Sequence, residues 1–555
     1  MRTRIVGALA ALMLVLAGCA GLPSGGSVNP GLALGEAPDE PDISFLPSRP
    51  QPGATPEQIV EGFVAAATSP AGRWEIARLF LAPDISDTWS PEAGVTIDRP
   101  GSRSVTTVGA DMVEMTVAQT GEVDQTGAFH AADGGSATLG YELEQQDDGE
   151  WRISAAPDGI VLNEQDFRVV FSAYGLMFFD PAWQFLVPDV RWFPTRQNVA
   201  TRIAEAIIGG GPSPWLAGAV FSAVTDGIVL KSSAVPVVQG IAQVELGAEA
   251  LEVDPVVLGR LQRQLQASLQ GTGVAGVELL VDGTELAVEP AQTLSTAIDA
   301  RPLVQVSGNF GFLGEGEITP VSGLSGRLST LDAQAIAVGR GGVVAAALLA
   351  GGGAVRVEGN DASTVDARMG LIDPTIDPDD TIWTVPASEP SAILLTTSED
   401  EVLEIANAWP GASQIRAMKV SRDGTRVAAI VTDAGRDWLE VSGIERTEGV
   451  PVALGVPERL LRLEGSGSDL AWLDDRTLGV LSEATEGTIV TEHVIGGLGS
   501  SGAGPTGNAV SLAAGPTVSS ARLLTADGAL FFRRGTTWQR AADDVLVLAS
   551  QLGAI

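Results

Sequence analysis

The chain is short of the residues that carry most enzyme chemistry: among 555 residues there is one cysteine, Cys19, and only two histidines, His130 and His493. A single cysteine excludes any disulfide within the chain, so the cores must hold by packing. Thiolate zinc sites and Cys-His catalysis lack raw material as well. The two histidines fall in separate predicted domains, which leaves little for a histidine metal site or a Ser-His-Asp triad. Basic residues are scarce too, 33 against 69 acidic ones, for a formal charge of −36. A surface of that sign repels phosphate groups, and no basic patch of the nucleic-acid-binding kind occurs, which argues against nucleic acid or anionic phospholipid as a principal ligand. Beyond the first residues no long apolar run exists. Residues 343–349 are apolar but hemmed in by Gly341-Gly342 and Gly351-Gly352-Gly353, far short of the roughly 20 residues a spanning helix needs.

What is present begins at the N-terminus. Arg2 and Arg4 precede an apolar stretch, 5–16, and then the small pair Ala17-Gly18, the layout of a secretory signal over 1–18. The run breaks at Gly21 and Pro23, too early for a retained anchor. Leu16-Ala17-Gly18-Cys19 resembles the lipobox of bacterial lipoproteins. That resemblance implies cleavage after Gly18, with Cys19 as the lipid attachment site, its sulfur carrying diacylglycerol and its new amino group palmitate. One acyl chain binds a membrane marginally and two or more bind it stably, so the expected location is the extracytoplasmic face of the cell membrane. Residues 19–53, with Pro30, Pro38, Pro41, Pro47, Pro50 and Pro52, read as a tether in which no long helix can form.

With 45% hydrophobic and 18% charged residues, the rest has ample material for folded cores, and the length suits about three domains. Over 54–163, Thr55-Pro56-Glu57-Gln58 predicts a helix start with a capping box, and Ile59, Phe63, Val64 and Ala67 share one face. A second helical segment is predicted over 74–81. Strands follow at 105–108, 112–117, 137–143 and 151–155, with Asp147-Asp148-Gly149 as a hairpin turn: a cone-like α+β domain. Over 164–300 the strands 169–178, 185–187, 241–246 and 277–280 alternate with helices 196–208 and 255–269, again α+β. From 301 to 555 short β-runs dominate and no helix is expected before the last residues. Runs at 335–338, 382–385, 426–430, 477–481 and 529–532 recur at intervals of roughly 50 residues, as propeller blades do. Five runs predict five blades, or six if an atypical one closes the ring.

The remaining polar constellations read as structure. Asp377-Pro378-Asp379-Asp380 and Asp474-Asp475 have the charge for calcium or acid–base work, but aspartate favours turns by bonding its own backbone. Gly497-Leu498-Gly499-Ser500-Ser501-Gly502 matches the spacing of a dinucleotide fingerprint, yet no helix follows to receive a pyrophosphate. It reads as a flexible loop. No catalytic, cofactor or metal residue is therefore assigned, and the functional surface is expected to be a binding face.

The order of parts resembles the LpqB family of actinobacterial lipoproteins. Leu176-Met177-Phe178-Phe179-Asp180-Pro181, Leu186-Val187-Pro188-Asp189-Val190-Arg191 and Gly209-Gly210-Gly211-Pro212-Ser213 with Trp215-Leu216 resemble its GerMN module. Residues 81–91, from Leu81-Ala82-Pro83 to Trp89-Ser90-Pro91, resemble its N-terminal domain. The resemblance implies a non-enzymatic accessory protein acting on the extracytoplasmic region of the MtrB sensor histidine kinase, and so on the MtrA–MtrB response, cell-wall homeostasis and division. A rival reading is a lipoprotein that binds or processes cell-wall glycan in the propeller channel. It predicts an acidic cluster lined by aromatics there, for which Trp383, Trp409, Trp438, Trp472 and Trp538 are available.

Overall fold

A computed structural model describes residues 47–553 except 133, 196, 197, 486, 505 and 506. The signal, Cys19 and the tether up to Leu46 lie outside the described residues, so the lipidation expected at Cys19 is not addressed by the fold.

The first domain starts as its sequence dictates. Helix α1 (Pro56–Ala66) carries proline in its first turn, and Thr55 and Gln58 form a reciprocal capping box. Its apolar face, Ile59, Val60, Phe63 and Val64, is buried on a curved sheet. That sheet is built from β1 (Gly94–Asp98), β2 (Ser104–Thr107), β3 (Met112–Asp124), β4 (Phe129–Ala131), β5 (Ser136–Gln145), β6 (Trp151–Ala155) and β7 (Ile160–Asn163). The path runs β6-β5-β3-β1-β7, with β2 and β4 also on β3, and the parallel β1–β7 pair is the element alternation did not reveal. The expected second helix is cut short. Trp74 takes a left-handed φ of 60° and only Glu75–Arg78 is helical, because burying the Trp74 ring, with its Nε1 donating to the Ala67 carbonyl, forces a bend there.

In the second domain, residues expected to open a strand at 169 belong instead to helix α2 (Glu164–Val170), which Asn163 caps by accepting from two backbone N–H groups. Strands β8 (Phe171–Phe179) and β9 (Leu186–Pro194) then form a long antiparallel pair. Helix α3 (Val199–Ile208) and helix α4 (Pro255–Ser268) follow, with β10 (Val237–Val238), β11 (Ile241–Leu246), β12 (Gly276–Val281) and β13 (Thr284–Glu285) in a separate small sheet. The Ser268 hydroxyl accepts from the Met177 backbone at 2.8 Å, tying α4 to β8.

The third domain is a six-bladed propeller. Its innermost strands begin at Ala333, Thr375, Gln414, Gly467, Ala509 and Val545, and all six line a central channel. The sixth blade joins residues far apart in sequence: Val545–Gln551 pairs antiparallel with Leu303–Val306 and also meets the first blade in parallel at Ala337 and Val338. The strand Val545–Gln551 thus stands where a helix was expected, and a one-turn helix, Ser325–Leu328, packs its buried Leu328 earlier in this domain, where none was expected. The five periodic runs each mark a blade but not the same strand in each. The run 335–338 is innermost, three others are second strands, and 529–532 lies in a third strand. Strands buried on both faces are uniformly apolar, so an apolar run cannot report its rank within a blade.

Candidate functional site

Strand β9 is the hinge post of the molecule, since its side chains reach all three domains. The Arg191 guanidinium pairs with Asp189 at 2.8 Å and donates to the Thr126 hydroxyl of the first domain at 2.6 Å. Asp189 also accepts from the Ser213 backbone and hydroxyl at 2.7 and 2.8 Å. Both charges are buried. Asp189, Arg191, Gly211 and Ser213, from the stretches that resemble the GerMN module, thus form a buried structural network at a domain junction.

On the other face of β9, the Trp192 indole donates to the Gly496 carbonyl of the fourth blade at 2.7 Å, while Arg168 on α2 reaches the Gly499 carbonyl at 3.3 Å. The glycine-rich segment is thus no flexible loop. Gly499–Ala503 is the outer strand of blade four, and a Cβ on Gly497 would sit 3.0 Å from the Trp192 ring. Glycine is required there for close approach. The two histidines, separate in sequence, also meet here. His130 on β4 and His493 on the strand Thr488–Val494 line one cavity. His493 is 4% exposed, and burial pushes its imidazole down to about 4.

The propeller channel encloses about 240 Å³. Its charged lining is mixed, Asp373 and Asp469 with Lys419 and Arg422, and Trp472 is its one aromatic among the described lining residues. Burial pushes the Asp469 carboxyl up to about 6 against the opposing pull of Lys419, and both its oxygens accept backbone N–H groups, Leu470 at 2.8 Å and Leu512 at 2.7 Å. The segment between the second domain and the propeller crosses this lining: Ile298 is buried against it, Thr296 donates to Asp475 at 2.7 Å, and the Asp299 backbone donates to Gln551 at 3.2 Å.

Of the candidate carboxylates, Asp377 and Asp474 are taken up by turns, Asp475 accepts from Thr296, and the Asp380 Oδ1 is buried with no hydrogen-bond partner among the described residues. Asp377 accepts from the Asp379 and Thr381 backbones and from the Trp383 indole, and Asp474 accepts from the backbones of Arg476 and Thr477. Asp380, raised to about 6 by burial and then by Asp377, sits in the same turn. Trp383, Trp409 and Trp472 are buried, while Trp438 and Trp538 are half-buried. Among the described residues no group of three His, Cys, Asp or Glu side chains is placed to hold a metal ion, and no helix is long and apolar enough to cross a membrane.

An N-terminal α+β domain, a second α+β domain and a propeller joined through β9 define a three-domain lipoprotein architecture, and a family model matches within each part. The model of the Lipoprotein LpqB N-terminal domain matches residues 49–168, that of sporulation and spore germination matches 176–287, and that of the Lipoprotein LpqB beta-propeller domain matches 303–547. The Lipoprotein LpqB of Cutibacterium acnes is 26% identical over 88% of both chains. That of Rhodococcus opacus is 28% identical over 84% of this chain and 85% of its own, and that of Mycobacterium tuberculosis is 29% identical over 82% and 83%. The chain belongs to the LpqB lipoprotein family.

Proposed function

We propose that this chain is an accessory lipoprotein, anchored through Cys19 at the extracytoplasmic face of the cell membrane, that binds the extracytoplasmic region of an MtrB-like sensor histidine kinase and so affects cell-wall homeostasis and division. The observation that carries this reading is the match to LpqB lipoproteins along nearly the whole chain. The use of Asp377, Asp474 and Asp475 in turns and in holding the interdomain segment supports a binding role over a catalytic one. Lipid confinement raises the effective concentration near other membrane proteins. Binding then shifts the kinase only to the extent that its two states differ in affinity.

Crosslinking in intact cells followed by identification of the captured protein tests the partner: a sensor kinase is expected. Recovery of glycan alone would favour the rival reading, which the mixed charge and single aromatic of the channel lining do not support. Cys19→Ala is expected to release the protein from membranes and change kinase output. Release with unchanged output would remove tethering from the mechanism.

A further inference from the structure

Four arginines converge on one cavity in a chain that is otherwise strongly acidic. The cavity holds about 500 Å³ and takes Arg99 and Arg168 from the first domain and α2, and Arg459 and Arg462 from the third blade. Arg459 is neutralised, pairing with Asp433 and Glu440 at 3.0 Å each and lying 4.4 Å over the Trp438 ring. For Arg99, Arg168 and Arg462 no carboxylate lies within ion-pair distance among the described residues. Among the described residues Arg168 donates to the Gly499 carbonyl alone. Among the described lining residues the sole carboxylate is Glu164. With a net charge of −36, counter-charge is plentiful elsewhere, so three guanidiniums around one cavity with no carboxylate partner among the described residues are a local departure.

An independent observation lies at the same place. His493 lines this cavity too, and its Nδ1 is a buried nitrogen with no hydrogen-bond partner. Buried polar atoms are normally paired, and an unpaired one carries a desolvation cost that a ligand can recover. Space beside it is kept by glycine, since a Cβ on Gly499 would lie 2.9 Å from Nδ1. The Thr491 and Ser501 hydroxyls, 3.1 Å apart, sit on the same wall.

We propose that this cavity binds a small molecule bearing a phosphomonoester or pyrophosphate group, held by Arg99, Arg168 and Arg462 with His493 at the base. Guanidinium forks match the oxygens of such groups in pairs, and several cations without counter-charge call for more than one negative charge on the ligand. Phe129, Leu460 and Leu498 offer apolar wall to the remainder of the ligand. Because the first domain and the propeller contribute opposite walls, an occupied site would bridge them and stabilise their junction by mass action. This inference does not depend on the identity of any kinase.

The test is calorimetric titration of the full chain in neutral detergent micelles with pyrophosphate, and separately with phosphatidylcholine vesicles with and without phosphatidic acid. Expected is single-site binding of pyrophosphate that weakens as salt rises from about 50 to about 200 mM. Arg99→Gln with Arg462→Gln is expected to weaken it at least tenfold, whereas Arg534→Gln on the fifth blade leaves it unchanged. All three arginines are exposed, so an unchanged Tm without ligand verifies that the variants fold. Binding to phosphatidic acid vesicles but not to pyrophosphate, lost in the double variant, assigns the site to a lipid headgroup of the same chemistry. Binding to neither, or binding indifferent to the double variant, overturns the proposal.

Discussion

The Trp192 indole and the Gly496 carbonyl, 304 positions apart in the chain, are joined by a 2.7 Å hydrogen bond, so the second domain is latched to the fourth blade through a backbone acceptor that no side-chain change at position 496 can delete. The latch depends on what stands beside it. Gly497→Ala would place a methyl 3.0 Å from the Trp192 ring, and Trp192→Phe would remove the donor. Each is expected to cost about 1–2 kcal/mol, read as a lower Tm and as faster amide exchange confined to β9 and the Gly499–Ala503 strand. Loss spread evenly over all three domains would contradict a local latch.

Asp189 and Arg191 are a buried pair whose members differ in what their loss exposes. Asp189→Ala leaves the Arg191 charge and the Ser213 N–H unmatched, and is expected to destabilise by about 3–5 kcal/mol. Replacing both, Asp189→Leu with Arg191→Met, is expected to cost less than the single change. Urea denaturation of the two variants checks the order, and the reverse order would mean that the pair itself, rather than the orphaned charge, carries the energy.

His493 and Asp469 give the propeller opposing responses to acid. Burial holds His493 down to about 4 from 6.5, so between those values the unfolded chain binds the extra proton and falling pH destabilises the fold. Burial raises Asp469 from 3.8 to about 6, so over that window the folded chain holds the extra proton and falling pH stabilises it. His493→Leu removes only the first effect. The Tm of this variant relative to the parent should therefore rise as pH falls from 6.5 toward 4, by the equivalent of up to about 3 kcal/mol. Scanning calorimetry across that range decides it; a difference independent of pH would show that the imidazole is not held neutral.

Ile298 covers part of the channel lining from a segment without regular structure. Ile298→Ala is expected to cost about 2 kcal/mol and to raise proteolytic cleavage near 294–300 while the blades remain resistant. Uniform digestion of the propeller would mean that the residue supports the ring rather than the crossing.

Features governed by local chemistry were legible in the sequence. The Thr55–Gln58 capping box needs four residues and their hydrogen bonds alone, and Asp147-Asp148-Gly149 turns because Gly149 takes a φ of 85°. Features set by distant partners were not. The strand β1 pairs with β7 more than sixty positions away, Trp74 bends the chain to bury its own ring, and Gly497 has meaning only once Trp192 lies over it. The junction cavity was invisible for the same reason: Arg99, Arg168 and Arg462 belong to three separate segments, and nothing around any one of them marks it as different from a solvated charge. Glycines closely spaced within an otherwise strand-like stretch were the one available signal, since they mark close backbone approach as readily as mobility.

The pairing of Leu303 with Ala549 sets a timetable. A ring whose first-made strand waits for a partner synthesised almost 250 residues later cannot close while the ribosome is still at work on the intervening blades. Such long-range pairing is slow, and until it forms the half-made sixth blade presents the open edge of Leu303–Val306 to any passing strand. The two α+β domains have no such obligation and can be complete first, so the nascent protein would meet its surroundings for a time as a finished head trailing an open ring.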